Sequence, residues 1–250
     1  MTGSSTLALV GATGGAGTTR LTVEFGATLA RAGRDVALFD AAFATQGLAA
    51  HVPGRLDPDL TALVTDDRDA VLTDALVDHP AAVEGRLAVC PARAPFERLA
   101  RAKTPDAARR FEGVLATARE RFDHVLVDTP PVAANQAVAA VTTADRVGLV
   151  VPATAHGADH LPRQRDRLHD LGAPADVVVA NRADDDGPEF DGADVTVPES
   201  EARAVPDLPA VRDPDTAFAP AVAAAVETAL DTTLDLEFPD GGMFERYTDR

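Results

Sequence analysis

The sequence predicts an α/β domain of the doubly wound kind, with one mostly parallel sheet and helices on both faces. Three observations predict it. Short apolar runs alternate with longer stretches of helical spacing along nearly the whole chain. Several runs are apolar at every position, as in strands buried on both faces. The first run, Leu7-Ala8-Leu9-Val10, passes through a glycine-rich loop into a helical stretch, the order strand, loop, helix that aims backbone N–H groups at an anion.

The strands are expected at Leu7–Val10, Val36–Phe39, Leu87–Cys90, His124–Val127, Val147–Val151, Val177–Ala180 and, briefly, Val195–Val197. Helices are expected at Leu21–Ala32, Arg68–Val77, Asp106–Phe122, Asn135–Thr143, Asp159–Leu171 and Ala217–Leu234. Gly33 stands where a glycine cap ends the first helix. Asp184-Asp185-Asp186-Gly187-Pro188 reads as a surface loop. With no repeat and no linker composition, residues 1–238 form one expected domain, and 239–250 an expected flexible tail. Strands alternating with helices place ligands at the C-terminal ends of the strands.

The charge balance says more about solvent than about partners. The formal charge is −17, carried by 29 Asp and 11 Glu against 22 Arg and a single lysine, Lys103. Such an Asp-rich, lysine-poor composition resembles that of proteins adapted to concentrated salt, where screening relieves self-repulsion. The single cysteine, Cys90, excludes a disulfide within the chain and reads as a small core hydrophobe. The opening residues Met1-Thr2-Gly3-Ser4-Ser5 have no basic segment and no long apolar segment, and no run approaches the roughly 20 residues of a membrane span. A cytoplasmic protein is the expectation.

Chemistry concentrates at four places, each just after an expected strand. The loop Gly11-Ala12-Thr13-Gly14-Gly15-Ala16-Gly17-Thr18-Thr19 has the glycines of a phosphate cradle, and Thr19 offers a hydroxyl to Mg²⁺. Asp40 closes the second strand. Asp128, in Val125-Leu126-Val127-Asp128-Thr129-Pro130-Pro131, supplies the carboxylate that a hard divalent cation beside a polyphosphate needs. Asn181 and Arg182 end the run that begins at Val177, and the Asn181 amide suits a base edge. Each residue also has a plain turn or capping role open to it.

Together these residues resemble the ParA/MinD family of P-loop ATPases, over nearly the whole chain. The family loop K-G-G-x-G-K-T-T is matched by Thr13-Gly14-Gly15-Ala16-Gly17-Thr18-Thr19-Arg20. The family's D-x-D is matched at Asp40, its Walker B segment at Val125 to Pro131, its N-R pair at Asn181-Arg182, and its V-P-x-D/E segment at Val197-Pro198-Glu199. The resemblance implies ATP or ADP bound by Gly14, Gly15, Ala16, Gly17, Thr18, Thr19, Asn181 and Arg182. It further implies Mg²⁺ at Thr19 and Asp128, a catalytic carboxylate at Asp40, and a homodimer that positions or partitions a cargo.

Three departures change the expected activity. Both lysines of the family loop are threonine, Thr13 and Thr18, and the second carboxylate of D-x-D is Ala42. A lysine on the β- and γ-phosphates supplies transition-state charge that a hydroxyl cannot. The expectation is a weak or inactive ATPase serving as a nucleotide-gated switch or scaffold. An active enzyme borrowing an arginine such as Arg20 is the alternative.

Gly11 to Gly17 also fits G-x-x-G-x-x-G of NAD(P)-binding Rossmann proteins, with Asp40 as ribose acid. That family's Y-x-x-x-K pair has no counterpart, since Tyr247 and Lys103 are the only residues of their kinds. His156 and His160 share helical spacing suited to a metal pair but lack an acidic companion. Arg163, Arg165 and Arg167 are interleaved with Asp159, Asp166 and Asp170, so no DNA-binding patch is expected. The last helix carries Glu227 and Asp231 and no Lys or Arg, so no membrane anchor is expected.

Overall fold

A computed structural model of the chain describes residues 4–54, 56–65, 71–81, 84–184, 190–213 and 217–238. One sheet runs through it. Its strands are β1 (Ser5–Gly11), β2 (Asp35–Asp40), β3 (Val77–Asp78), β4 (Arg86–Cys90), β5 (His124–Thr129), β6 (Arg146–Pro152), β7 (Val177–Ala183) and β8 (Val195–Pro198). Their order across the sheet is β3-β4-β2-β5-β1-β6-β7-β8, parallel throughout except for the short β3 edge. The helices are α1 (Thr18–Arg31), α2 (Leu60–Thr65), α3 (Leu72–Ala75), α4 (Phe96–Ala102), α5 (Pro105–Arg119), α6 (Asn135–Thr143), α7 (Ala155–Asp170) and α8 (Phe218–Leu230).

The continuously apolar strands are buried on both faces because two layers of helices cover them. Leu7, Leu9, Leu38, Leu126 and Val150 pack with Phe25 and Leu29 of α1 and Val222 and Val226 of α8. Their neighbours Ala37, Phe39, Val125 and Val127 pack on the opposite face with Phe111 and Leu115 of α5. Ala8, Val10 and Leu149 pack there with Ala137 and Val141 of α6 and Leu168 of α7. Each fully buried Leu, Val or Phe side chain contributes roughly 1.5–3 kcal/mol relative to exposure. Cys90 is fully buried in the same core.

The element bounds depart from the sequence reading where caps and turns decide. Thr104 accepts a hydrogen bond from Ala107 N–H at 3.3 Å and starts α5 with Pro105 in its first turn. Thr154 does the same for Gly157, so α7 begins four residues before the expected Asp159 and carries Pro162 in its interior. The expected helix to Leu234 stops at Leu230, where Asp231 turns left-handed at φ 50° and ends it. Residues beyond it return across α1, where Arg31 donates to the Glu237 carbonyl at 2.7 Å and lies over the Phe238 ring. Of the helix expected over 68–77, only Leu72–Ala75 is helical, Val77 starts the edge strand β3, and 68–70 lie outside the described residues. So do residues 185–188 of the Asp184 loop and the tail 239–250. Helices α2 and α4, six and seven residues long, were too short for periodicity to reveal.

The strand order decides between the two glycine-loop readings. In a dinucleotide-binding fold the first two strands are neighbours. Here β5 lies between β1 and β2, and β1 is flanked by β5 and β6. The NAD(P) alternative therefore loses its geometry: Asp40 stands two strands from the loop strand, beside Asp128, and not at the edge of the loop.

Candidate functional site

Three neighbouring strand ends build the site. In the register of the sheet Asp40 pairs with Asp128, and Leu9 and Val10 of β1 pair with Asp128 and Thr129. The glycine loop leaves β1 immediately above them. Its last residue, Gly17, has φ 87° and forms the N-cap of α1. A Cβ there would stand 2.3 Å from the Asn181 amide nitrogen. Only glycine fits, in conformation and in space.

The loop presents unpaired donors. Among the described residues, the backbone N–H groups of Gly14, Gly15, Gly17, Thr18, Thr19 and Arg20 donate no hydrogen bond. A helix N-terminus with its free N–H groups and positive dipole end is suited to an anion. Thr19, in the first turn, donates its hydroxyl to Asp128 Oδ2 at 2.6 Å. A hydroxyl and a carboxylate in contact at the helix start form a hard oxygen donor set, fitting Mg²⁺ in chemistry.

Both carboxylates are buried, and burial raises both. Asp128 is almost wholly buried, and burial pushes its carboxyl up to about 7, partly offset by the Thr19 hydroxyl. Asp40 is fully buried, and burial and then the Asp128 charge raise it well above the usual carboxylate range. Its oxygens accept from Ala42 N–H at 3.0 Å and Leu48 N–H at 3.2 Å. Asp40 thus ties down the segment 42–48, and the turn beginning at Gly47 packs directly on the Thr19 side chain.

Thr13 and Thr18, at the positions that the sequence resemblance matches to the family's loop lysines, are both buried. Thr18 Oγ1 lies 2.8 Å from where a Cβ on Gly11 would stand, so the hydroxyl tucks back under the loop. Arg20 turns toward Glu24, yet its buried Nε and Nη2 have no hydrogen-bond partner among the described residues. Its Nε lies 3.5 Å from buried Glu24, and its guanidinium lies over Phe218, 5.5 Å from the ring centre. Burial lowers the pKa of nearby His51, with His79 and then Arg20 adding to the effect.

Beside the loop lies a cavity of about 240 Å³, lined by Arg20, Asn181, Arg182, Pro198, Glu199, Arg203 and Phe218, among others. It shares Pro198, Glu199, Ser200 and Phe218 with a larger cavity of about 820 Å³ that extends toward Arg212. The sequence reading located Asn181, Arg182 and Glu199 here. It missed Phe218, Arg20 as a wall, and Glu24, because α8 comes from the far end of the chain and no motif marks it.

Asn181 differs from the expectation of a free amide for a base edge. It is buried, donates through Nδ2 to the Ala16 carbonyl at 2.8 Å, and accepts at Oδ1 from Arg182 N–H at 3.0 Å. It straps β7 to the glycine loop.

No protein-family model matches the sequence, and no curated protein is significantly similar to it. Solved structures are similar in fold. The septum site-determining protein MinD of Pyrococcus horikoshii, complexed with Mg-ADP, aligns with a TM-score of 0.74 at 20% identity, covering 91% of this chain and 95% of that one. The fold is that of MinD and ParA. A ParA-family ATPase from Chlorobium tepidum gives 0.69 at 17% identity, over 92% of this chain and 99% of that one. An McdA–ATP complex from Cyanothece gives 0.67 at 19% identity, over 95% and 100%. The eight-stranded, mostly parallel sheet with helices on both faces is the MinD/ParA P-loop arrangement.

Two further expectations concern the surface of this MinD/ParA fold. His156 and His160 do meet, with ring centres 4.5 Å apart, but among the described residues no third His, Cys, Asp or Glu joins them. Arg165 and Arg167 donate to the carbonyls of Gly192 and Val132 at 2.8 Å each, so two of the three clustered arginines are tied to their own backbone. Among the described residues no helix is long and apolar enough to cross a membrane.

Proposed function

We propose that the chain is a ParA/MinD-type nucleotide-binding protein that holds ATP or ADP with Mg²⁺ and hydrolyses ATP slowly or not at all. The Thr19–Asp128 contact at 2.6 Å, set at the start of a helix whose first N–H groups are unpaired, carries the reading. In it, the N–H groups from Gly14 to Arg20 receive the phosphates, and Thr19 and Asp128 hold the metal. Mg²⁺ bound there would neutralise phosphate charge. The cavity under Phe218 and Pro198 receives the base. Asp40, expected from sequence to be catalytic, is proposed as a positioning group: its oxygens face backbone donors, and it acts through Asp128 and the 42–48 segment.

Slow turnover follows from the missing cations. Thr18 and Thr13 carry no charge, Ala42 carries no carboxylate, and Arg20 is drawn to Glu24. Loss of one preorganised charge from such a site costs a factor of roughly a hundred to a thousand in rate. In the active-enzyme alternative Arg20, whose Nε and Nη2 have no hydrogen-bond partner among the described residues, would leave Glu24 for the phosphates. A protein that binds without turning over quickly suits a nucleotide-gated homodimer, serving as switch or scaffold for a cargo, inside a cell with concentrated salt.

The test is calorimetry of Mg-ATP and Mg-ADP binding in concentrated KCl, with light scattering on the same samples to follow dimerisation. Binding by the wild type that is lost in Asp128→Ala supports the reading, and absence of wild-type binding overturns it. In the same assay series Thr18→Lys is expected to raise ATP turnover about a hundredfold. Bound nucleotide with unchanged turnover would show that the threonine is not the defect.

A further inference from the structure

The cavity beside the glycine loop is lined by three arginines, and two of them lie in ion pairs, although the Arg20 Nε and Nη2 have no hydrogen-bond partner among the described residues. Arg20 faces Glu24 at 3.5 Å, and Arg203 pairs with Glu199 at 3.1 Å. Among the described residues no carboxylate pairs with Arg182.

The backbone at Arg182 is unusual. The β7–β8 ladder pairs Asn181 with Val197 and Ala183 with Pro198, so Arg182 is the extra residue of a bulge. Its φ is 59°, in the left-handed region that a long side chain enters only at a cost. Bulges next to functional sites re-aim a side chain, and a strained residue persists where its surroundings over-determine it. The over-determining group is Asn181, whose amide holds both the Arg182 N–H and the Ala16 carbonyl of the loop.

The bulge aims the guanidinium at the start of α1. Arg182 Nη2 lies 3.6 Å from where a Cβ on Gly17 would stand. A cation beside a helix N-terminus is electrostatically unfavourable unless an anion lies between them. Free N–H groups, a positive helix end and the guanidinium of the exposed residue Arg182, which no carboxylate pairs among the described residues, therefore converge on one small region.

We infer that Arg182 supplies the cation that the phosphate loop lost with its lysines, and binds the phosphate end of a nucleotide and not its base. The inference rests on the nucleotide reading given above. Arg182 replaces the charge of the absent lysine from the opposite wall, delivered by a bulge at the end of β7 in place of a side chain on α1. Its planar fork can give two parallel hydrogen bonds to phosphate oxygens.

A double-mutant cycle tests it, with Mg-ADP affinity measured calorimetrically on wild type, Arg182→Gln, Thr18→Lys and the double variant. Arg182→Gln is expected to weaken Mg-ADP binding roughly tenfold to a hundredfold, the range for a charge-assisted hydrogen bond. Thr18→Lys is expected to improve affinity more in the Arg182→Gln background than in the wild type, because the two cations serve the same phosphates. Unchanged affinity in Arg182→Gln, or an equal gain from the lysine in both backgrounds, overturns the inference and leaves the nucleotide reading standing. No Mg-ADP binding by the wild type overturns both. Arg182→Gly adds a check against a purely structural role: glycine suits φ 59°, so this variant is expected to melt no lower than the wild type yet lose the same affinity. Lowered melting with unchanged affinity would assign Arg182 to the fold alone.

Discussion

Glu24→Ala is expected to cost the folded protein about 3–5 kcal/mol and to lower its melting temperature by roughly 6–20 °C. Glu24 lies in the second turn of α1 and is fully buried. Its carboxylate accepts from Ala210 N–H at 2.9 Å and Val211 N–H at 3.0 Å, and lies 3.5 Å from Arg20 Nε. Burial raises its pKa, and the two backbone donors and Arg20 oppose that shift. Removing the side chain leaves two amides without their acceptor and one guanidinium without its carboxylate, which is the costly case for a buried charge. Thermal and urea unfolding of wild type, Glu24→Ala and Glu24→Gln measure this, with Gln expected between the two because it keeps one acceptor. A loss under about 1 kcal/mol in Glu24→Ala would mean that the turn Ala210–Arg212 is held by other contacts, such as the packing of Val211 in the core.

Asp128→Asn is expected to raise the stability of the nucleotide-free protein at pH 8 and to leave it nearly unchanged near pH 4. The sign follows from the raised carboxyl. Asp128 titrates near 7 in the folded chain against an ordinary value of 3.8, first through burial. The folded state therefore favours the protonated form, and stability present at low pH is lost as pH rises through about 7. Asparagine keeps an acceptor for Thr19 and cannot ionise against Asp40. The gain at pH 8 is on the order of 2–4 kcal/mol, or on the order of 5–10 °C in melting temperature. Melting curves between pH 4 and pH 8 check it. A pH-independent difference between the two proteins would place the ionised Asp128 in a solvated or otherwise compensated setting.

Opposite effects of substitutions at one position express the trade-off at this site. Asp128 is a burden to the empty fold and, under the proposed function, a requirement for the metal. Stability given up at a binding site is regained when the ligand arrives.

Most of the fold was legible in the sequence, for a definite reason. Parallel strands buried on both faces leave uninterrupted apolar runs, and Val125–Val127, Val147–Val151 and Val177–Ala180 announce themselves by that signature. The edge strand β3 has two residues and no such signature. Likewise the loop glycines, Thr19, Asp40 and Asp128 were legible because each follows a recognisable strand, and strand ends in a parallel sheet lie together.

What the sequence could not carry was direction. Arg20 is adjacent to the loop in the chain, yet it turns to Glu24 and Phe218. Arg182 is far from the loop in the chain, yet its guanidinium reaches Gly17. The choice depends on a buried carboxylate one helical turn away, on an aromatic ring brought by α8, and on a bulge opposite β8. None of these is local, so no spacing records them.

The sequence by itself determined the α/β class, the strands that form the sheet and the residue types at their ends, because burial on two faces and glycine's conformational range act on the chain locally. Only the tertiary structure decided the strand order that separates β1 from β2, the contact of Asp40 with Asp128, and which arginine faces the loop. Those depend on which segments become neighbours, and in a crossover-connected sheet neighbours in space are seldom neighbours in the chain.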